Sequence, residues 1–462
     1  MKESVWNKYI KYEFESLKDE IKTDILIIGG GIAGILTAYY LKDSNLKITI
    51  VDRNKILSGV TSKMTSKVTI LQDILTKISK NKVELYLKSQ LDGLKLLKDN
   101  INKLNIECDF NKNDSYLYTS KKNNIKKIKD IEKVLDNLKI NYSNEEIEIK
   151  ELNSLYNIKI NDSYEINQIK YLNSIISSLK NTTIYDNTSI IEVLKDNKEY
   201  IARTKSNKIT SKIIIFATNY PYFLKPLFFP IKVRLEKSYI VYGKSNYNGK
   251  YNLINIDKNI KSIRFYKDKM IYLTNNKYIS HISKNDFDKV INNNLVNNID
   301  NIWTNMDLIT NDYLPIIGKV FSNMYIITGF NTWGILSSHI GSNIIANLIL
   351  KHKRYLQYQE LFYPRREVNL QKLINSSINI LENINGYFKG MISKNKFVYY
   401  NNKEAIYIDN KNNIYKVKRK CPHMKCNLIF NEKENSWDCP CHGSRFQIDG
   451  KVINGPSKYD IS

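Results

Sequence analysis

Cysteine and histidine are scarce, five of each in 462 residues, yet four of the cysteines and two of the histidines stand between Cys421 and His442. Cysteines so few and so placed exclude a secreted disulfide framework. Acidic residues are outnumbered, 46 against 71 Lys and Arg, for a formal charge of +25. A clustered excess would suggest a nucleic-acid partner. Here the lysines run over the whole length among Asn, Ile and Tyr, so the excess reads as a solvated exterior and no nucleic acid is expected. Long apolar runs are missing as well. The longest candidate, ILSSHIGSNIIANLIL (Ile335 to Leu350), is broken by Ser, His and Asn and falls short of the ~20 residues of a spanning helix. The opening MKESVWNKYIKYEFESL has no apolar run after its charges. The expectations are no integral membrane segment and a cytoplasmic location.

The remainder is ordinary globular composition, 42% hydrophobic and 25% charged. The length exceeds what one core fills, ~250–300 residues, so several units are expected. DILIIGGGIAGILTAYYLKD reads as strand, tight turn and helix, and LKITIVDRN as a second strand ending at Asp52. Gly29, Gly31 and Gly34 form G-x-G-x-x-G between that strand and helix. Such a turn needs residues without Cβ where the backbone approaches a pyrophosphate, and the helix amino terminus offers free N–H groups to it. Asp52 is placed for ribose hydroxyls. By itself the motif does not separate NAD from FAD.

SKIIIFATNYP is a buried-strand pattern stopped by a turn. VRLEKSYIVYG, SIRFY and MIYLT alternate as strands of an antiparallel substrate sheet would. DLITNDYLPIIGKV and MYIITGFNTWG then return to strand, glycine turn and helix, so the chain leaves the nucleotide fold and re-enters it.

Four stretches carry a resemblance: SGVTSKMTSKVT (Ser58 to Thr69), ATNYP (Ala217 to Pro221), WTNMDLITNDYLPIIG (Trp303 to Gly318) and TGFNTWG (Thr328 to Gly334). They resemble the FAD-dependent oxidoreductases of the D-amino-acid oxidase, glycine oxidase and sarcosine oxidase superfamily, over roughly residues 20 to 350. The resemblance implies a mixed α/β (α+β) fold. A Rossmann-like FAD-binding domain would comprise 20–90, 155–222 and 305–352, and an antiparallel substrate domain 91–154 and 223–304. FAD would meet Gly29, Gly31, Ile32, Ala33, Gly34 and Asp52, then Arg53, Thr61 and Lys67, then Ala217, Thr218 and Gly318. Gly329, Phe330, Gly334 and Ile335 would lie beside the isoalloxazine, where a helix amino terminus stabilises charge on the reduced ring. Arg234 and Arg264 fall on expected substrate-domain strands; either suits a carboxylate clamp, and either also suits a surface position.

Cys421-Pro422-His423 and Cys439-Pro440-Cys441-His442 give C-x-H, fifteen intervening residues and C-x-x-H. This resembles the Rieske [2Fe–2S] motif, in which two thiolates hold one iron and two imidazoles the other. Zinc is the alternative for such donors, but its pairs usually run C-x₂₋₄-C. The resemblance implies ligands Cys421, His423, Cys439 and His442, a Cys426–Cys441 disulfide, and a Ser444 hydroxyl on a cluster sulfur. High-potential relatives carry Tyr where this chain has Phe446, which implies a lower potential. A helical linker (353–395) would lead to an all-β Rieske domain (396–462).

A flavin takes two electrons and the cluster carries one. The expected activity is a dehydrogenase that oxidises an amine or amino acid at the C–N bond and passes electrons singly to a carrier protein or quinone. The alternative is a relay between carriers without an organic substrate.

Overall fold

The computed structural model of the chain describes residues 3–221, 232–281, 284–366, 370–392 and 398–462. Its first sheet is built on β1 (Ile21–Ile28), whose apolar run is buried because strands flank both edges, helices cover one face, and Tyr200, Leu235, Met306 and Leu308 pack on the other. β1 pairs in parallel with β2 (Ile48–Val51) and β9 (Lys208–Phe216). β6 (Thr182–Tyr185) lies beyond β2, and β16 (Met324–Thr328) and β15 (Ile316–Phe321) lie beyond β9. A hairpin of β7 (Glu192–Asp196) and β8 (Glu199–Arg203) adds to β9.

Two helices pack on this sheet, α1 (Ile32–Leu41) and α3 (Gly334–Leu350), and α2 (Lys80–Leu104) packs on α3. A Cβ on Gly93 of α2 would meet the Leu336 carbonyl at 2.6 Å, so glycine sets that helix contact. The polar residues that interrupt α3 are used inside the core. Ser342 donates to the Ala33 carbonyl at 3.0 Å, and His339 Nε2 lies 2.8 Å from Tyr171 Oη. Among the described residues no helix is long and apolar enough to cross a membrane. Cys108, the cysteine outside the carboxyl-terminal cluster, is a buried core residue.

The second sheet holds β3 (Lys67–Val68), β4 (Asn111–Thr119), β5 (Tyr156–Glu165), β10 (Val233–Lys244), β11 (Tyr251–Asn255), β12 (Lys261–Tyr266), β13 (Lys269–Tyr278) and β14 (Asn298–Thr310), in the order β14-β10-β13-β12-β11-β4-β5-β3. One expectation is corrected here: β5, and β3 with it, fall outside the nucleotide fold, because β5 pairs antiparallel with β4 and with β3. β14 likewise runs through the boundary expected at residue 305.

Residues 398–462 are all-β. β17 (Val398–Tyr400), β18 (Glu404–Ile408) and β19 (Ile414–Lys418) form one small sheet. β20 (Ile429–Asn431), β21 (Ser436–Asp438), β22 (Arg445–Gln447) and β23 (Val452–Asn454) form another. The connecting segment is a helix where described, α4 (Leu370–Ile392), and residues 367–369 and 393–397 of the expected linker lie outside the described residues. This helix is a clamp as well as a spacer. A Cβ on Gly386 or Gly390 would meet the carbonyls of Pro440 and Asn427 at 2.3 and 2.6 Å, so α4 lies directly on both cysteine-bearing loops.

The segment is tied to the first body by Arg366, which donates to both carboxylate oxygens of buried Asp312 at 2.6 Å. Burial alone would raise the Asp312 pKa, but Arg366 and Lys372 outweigh it and hold the carboxyl well below its ordinary range. A depressed folded-state pKa means stability present at neutral pH and lost as pH falls below about 4. Asp312→Asn is expected to cost about 3–5 kcal/mol at pH 7, since it strands a buried guanidinium. Thermal unfolding should show the gap to the parent narrowing in acid, and a gap independent of pH would contradict it.

Candidate functional site

The turn after β1 is shaped by contact rather than by flexibility. A Cβ on Gly34 would meet the Gly29 carbonyl at 1.9 Å, and Gly29, at φ +115°, faces the Ala217 carbonyl at 2.6 Å from its own absent Cβ. Thr61 Oγ1 accepts from Ile32 N at 3.0 Å. Asp52 accepts from Gly30 N at 2.8 Å and from Asn54 N at 2.9 Å; burial pushes its carboxyl up. Gly34→Ala is therefore expected to move the turn and to yield folded protein that loses its flavin on gel filtration. Retained yellow colour at parental stoichiometry would contradict this geometry.

The turn opens into a cavity of about 850 Å³, within the size range of cofactor sites. Gly29, Gly31, Ile32, Ala33, Asp52 and Arg53 line it from one side; Thr61, Ala217, Thr218, Phe330 and Gly334 line it elsewhere. Other expected residues sit differently. Gly34 packs beneath the turn, and Gly329 (φ +70°) turns against Thr310. Gly318 faces Pro364, away from the cavity, because β15 is an edge strand there. Lys67 and Ile335 line a smaller inner pocket of about 60 Å³ that shares Lys63, Met64, Asn305, Asp307, Thr332 and Gly334 with the large cavity. Burial pushes the Lys67 ammonium pKa well down, and that of Lys63 down to about 8.

Neither arginine reaches this pocket. Arg264 is fully buried and donates to the carbonyls of Thr65, Ser66 and Ile166 at 2.9, 2.7 and 3.1 Å, bracing the segment that carries Lys67. Arg234 donates to Glu236 at 2.8 Å and to Tyr313 at 3.2 Å, beside a different small cavity lined by Tyr220, Cys441 and His442. Both guanidiniums are engaged by groups of the protein, so the expected clamps are corrected to structural roles.

At the carboxyl end two loops converge. Cys426 and Cys441 form a disulfide with Cα atoms 6.6 Å apart, and Cys421 and Cys439 are free, buried thiols that hydrogen-bond each other. The rings of His423 and His442 are 5.0 Å apart, and both Nδ1 atoms are buried without a hydrogen-bond partner. Two buried thiols in contact and two buried imidazoles with orphan nitrogens are the donor set of two-thiolate, two-imidazole ligation. Ser444 hydrogen-bonds the Cys421 sulfur and accepts from Ser457 N at 3.0 Å, which holds the following proline-containing loop. Trp437 and Phe446 are core residues, paired across β21 and β22.

Sequence reasoning gave no hint of how this unit seats. Glu434, Arg445, Gln447 and Asn454 line the large cavity, Arg53 donates to the Ser457 carbonyl at 3.0 Å, and Lys237 of β10 pairs with Glu434. Tyr220 lines both the large cavity and the small one at Cys441 and His442, with its ring 6.2 Å from that of His423.

A dinucleotide cradle whose wall is completed by a Cys₂His₂ unit defines a redox protein with two prosthetic groups. Residues 24–348 match the FAD dependent oxidoreductase family, and the chain belongs to it; residues 390–461 match the Rieske [2Fe-2S] domain. The enzyme is a FAD-dependent oxidoreductase carrying a [2Fe–2S] cluster domain. YhfW of Bacillus subtilis (strain 168), described as a Rieske 2Fe-2S iron-sulfur protein, is 26% identical over 96% of this chain and 94% of its own. The cytochrome b6-f complex iron-sulfur subunit 2 of Synechocystis is 38% identical over 48 residues, 10% of this chain and 27% of that protein. Among solved structures, glycine oxidase of Geobacillus kaustophilus superposes with TM-score 0.63 at 14% identity, covering 75% of this chain and all of that one. L-Proline dehydrogenase of P. horikoshii gives 0.61 at 16%, covering 75% and 98%. These likenesses are of fold.

Proposed function

We propose that this enzyme oxidises a small amine or amino acid at its C–N bond and passes the electrons singly through the carboxyl-terminal cluster to an external carrier protein or quinone, in the cytoplasm. FAD would lie along Gly29, Gly31, Asp52, Thr61 and Thr218 toward Phe330 and Gly334, and Cys421, His423, Cys439 and His442 would hold the cluster. When bound, FAD would supply an acceptor for the hydride of the carbon that bears the nitrogen, leaving an iminium that water hydrolyses. The chain's own residues supply the rest. The second sheet closes an inner pocket against the cavity, and β14 contributes Asn305 and Asp307 to both spaces.

The observation that carries the reading is the shared wall: the Cys₂His₂ unit closes the same cavity that the glycine turn opens, with Tyr220 between them. A carrier-to-carrier relay has no use for an inner pocket that opens off the flavin cavity through Lys63, Asn305 and Asp307. Anaerobic mixing with a panel of small amines and amino acids tests it. Bleaching of the flavin by a member of the panel is the expected result, and bleaching only by a nicotinamide nucleotide or a reduced carrier would sink it.

A further inference from the structure

The inner pocket has a floor of acceptors that lack donors. β10 and β14 pair antiparallel with Ser238 opposite Asn305 and Glu236 opposite Asp307. Ser238, Asn305 and Asp307 are 1%, 4% and 7% exposed, and all three line the pocket. Among the described residues, Ser238 Oγ and Asn305 Oδ1 have no hydrogen-bond partner. Asp307 accepts from Asn305 Nδ2 at 3.1 and 3.2 Å, which leaves most of a carboxylate's acceptor capacity free.

Most of the charged groups around this floor are engaged by other groups of the protein, and none is among the hydrogen-bond partners of Asp307. Across the register, Glu236 pairs with Arg234 at 2.8 Å. From the segment after β2, Lys67 donates to Thr65 at 3.1 Å, and Asp73 is taken by Lys77 at 2.6 Å and by Trp333 Nε1 at 2.9 Å. Lys63 lines both spaces, and Glu434 and Arg445 pair with each other on the cavity's far wall. Buried acceptors without donors are costly, so the complement of this floor is a ligand with several N–H groups and a positive charge. A primary ammonium has that chemistry and a carboxylate does not.

We propose that Ser238, Asn305 and Asp307 form an ammonium subsite, so that the substrate is a small cationic amine held by its nitrogen, and that Asp307 takes a proton from it before oxidation. This rests on the amine-oxidation reading above. In the step one N–H bond of the ammonium breaks, its electron pair stays on nitrogen as the lone pair, and the proton goes to an Asp307 oxygen; no oxidant is consumed. Burial, then Glu236, raise the Asp307 carboxyl to about 7. The carboxylate form needed for binding and proton transfer therefore grows in as pH rises through that value.

The test uses the FAD-loaded protein and tert-butylamine, whose nitrogen-bearing carbon has no hydrogen and so is not oxidised. Its binding is read as a perturbation of the flavin absorbance across pH. Saturable binding is expected, strengthening as pH rises through 7, and weakened about tenfold or more in Asp307→Asn with loss of that pH dependence. Asn305→Leu should weaken it too, and serves if the first variant fails to hold FAD. Pivalate, of similar shape and opposite charge, should not perturb the spectrum. Unchanged binding in Asp307→Asn, perturbation by pivalate in place of the amine, or no perturbation by either would overturn the subsite. Binding at Asp307 with no amine able to bleach the flavin would leave the subsite standing and sink the oxidation reading instead.

Discussion

Glu434→Ala is expected to lower stability by about 3–5 kcal/mol and to loosen the carboxyl-terminal unit from the flavin cavity. Glu434 is 2% exposed and lies between the ammonium of Lys237, 1% exposed, and the guanidinium of Arg445, which also donates to Asp438 at 3.0 Å. Burial works against ionised Glu434, but Arg445 and Lys237 outweigh it and hold its pKa below the ordinary value. Removing the carboxylate leaves two cations facing each other with one anion fewer, one of them on β10 of the oxidoreductase body. The pair spans the joint, beside Arg53 on the Ser457 carbonyl, so losing it acts on docking as well as on folding. Thermal unfolding and hydrogen exchange across β20 to β23 would report both effects. The double variant Lys237→Met/Glu434→Leu should recover much of the loss, because well-packed apolar residues often replace a buried pair at little cost. A loss below about 1 kcal/mol in the single variant, with unchanged exchange, would show the pair to be dispensable.

His442→Ser is expected to abolish the iron–sulfur signal and to lower turnover with a one-electron acceptor by more than about two orders of magnitude, beyond the loss typical of a residue that only supports a ligand. Flavin content should survive, because the hydrogen bonds that shape the glycine turn, from Asp52 and Thr61, do not involve His442, which is not among the residues that line the flavin cavity. The orphaned Nδ1 atoms of His423 and His442 have no hydrogen-bond partner among the described residues, so a serine there removes a donor without breaking a structural bond. Iron analysis and low-temperature electron paramagnetic resonance read the first effect, and stopped-flow absorbance separates flavin reduction from onward transfer. Retention of the parental signal, or bound zinc in the parent, would contradict the assignment.

What was legible in the sequence follows chain locality. The Gly29–Gly34 turn and the two Cys/His loops are short segments whose residue types state their own chemistry, and the structure brings each set together. The substrate side depends on sheet register. Ser238 meets Asn305, and Glu236 meets Asp307, across some seventy residues of chain, and no local pattern announces it. Arg234 and Arg264 looked available on their strands because their partners, Glu236, Tyr313 and three backbone carbonyls, become visible only once the strands are paired. Lys237 reads as one more lysine among many until Glu434, nearly two hundred residues on, is placed beside it. The edge position of Gly318 and the membership of β5 in the second sheet are topological facts of the same kind.

The measurement closest to the central claim is an anaerobic titration of the FAD-loaded, iron-loaded protein with an amine that bleaches its flavin, followed by absorbance and low-temperature electron paramagnetic resonance together. Electrons that enter at the flavin should appear in the cluster as a reduced-state signal with mean g below the free-electron value, without any added carrier. A bleached flavin beside a cluster that stays oxidised until a separate reductant is supplied would contradict the account.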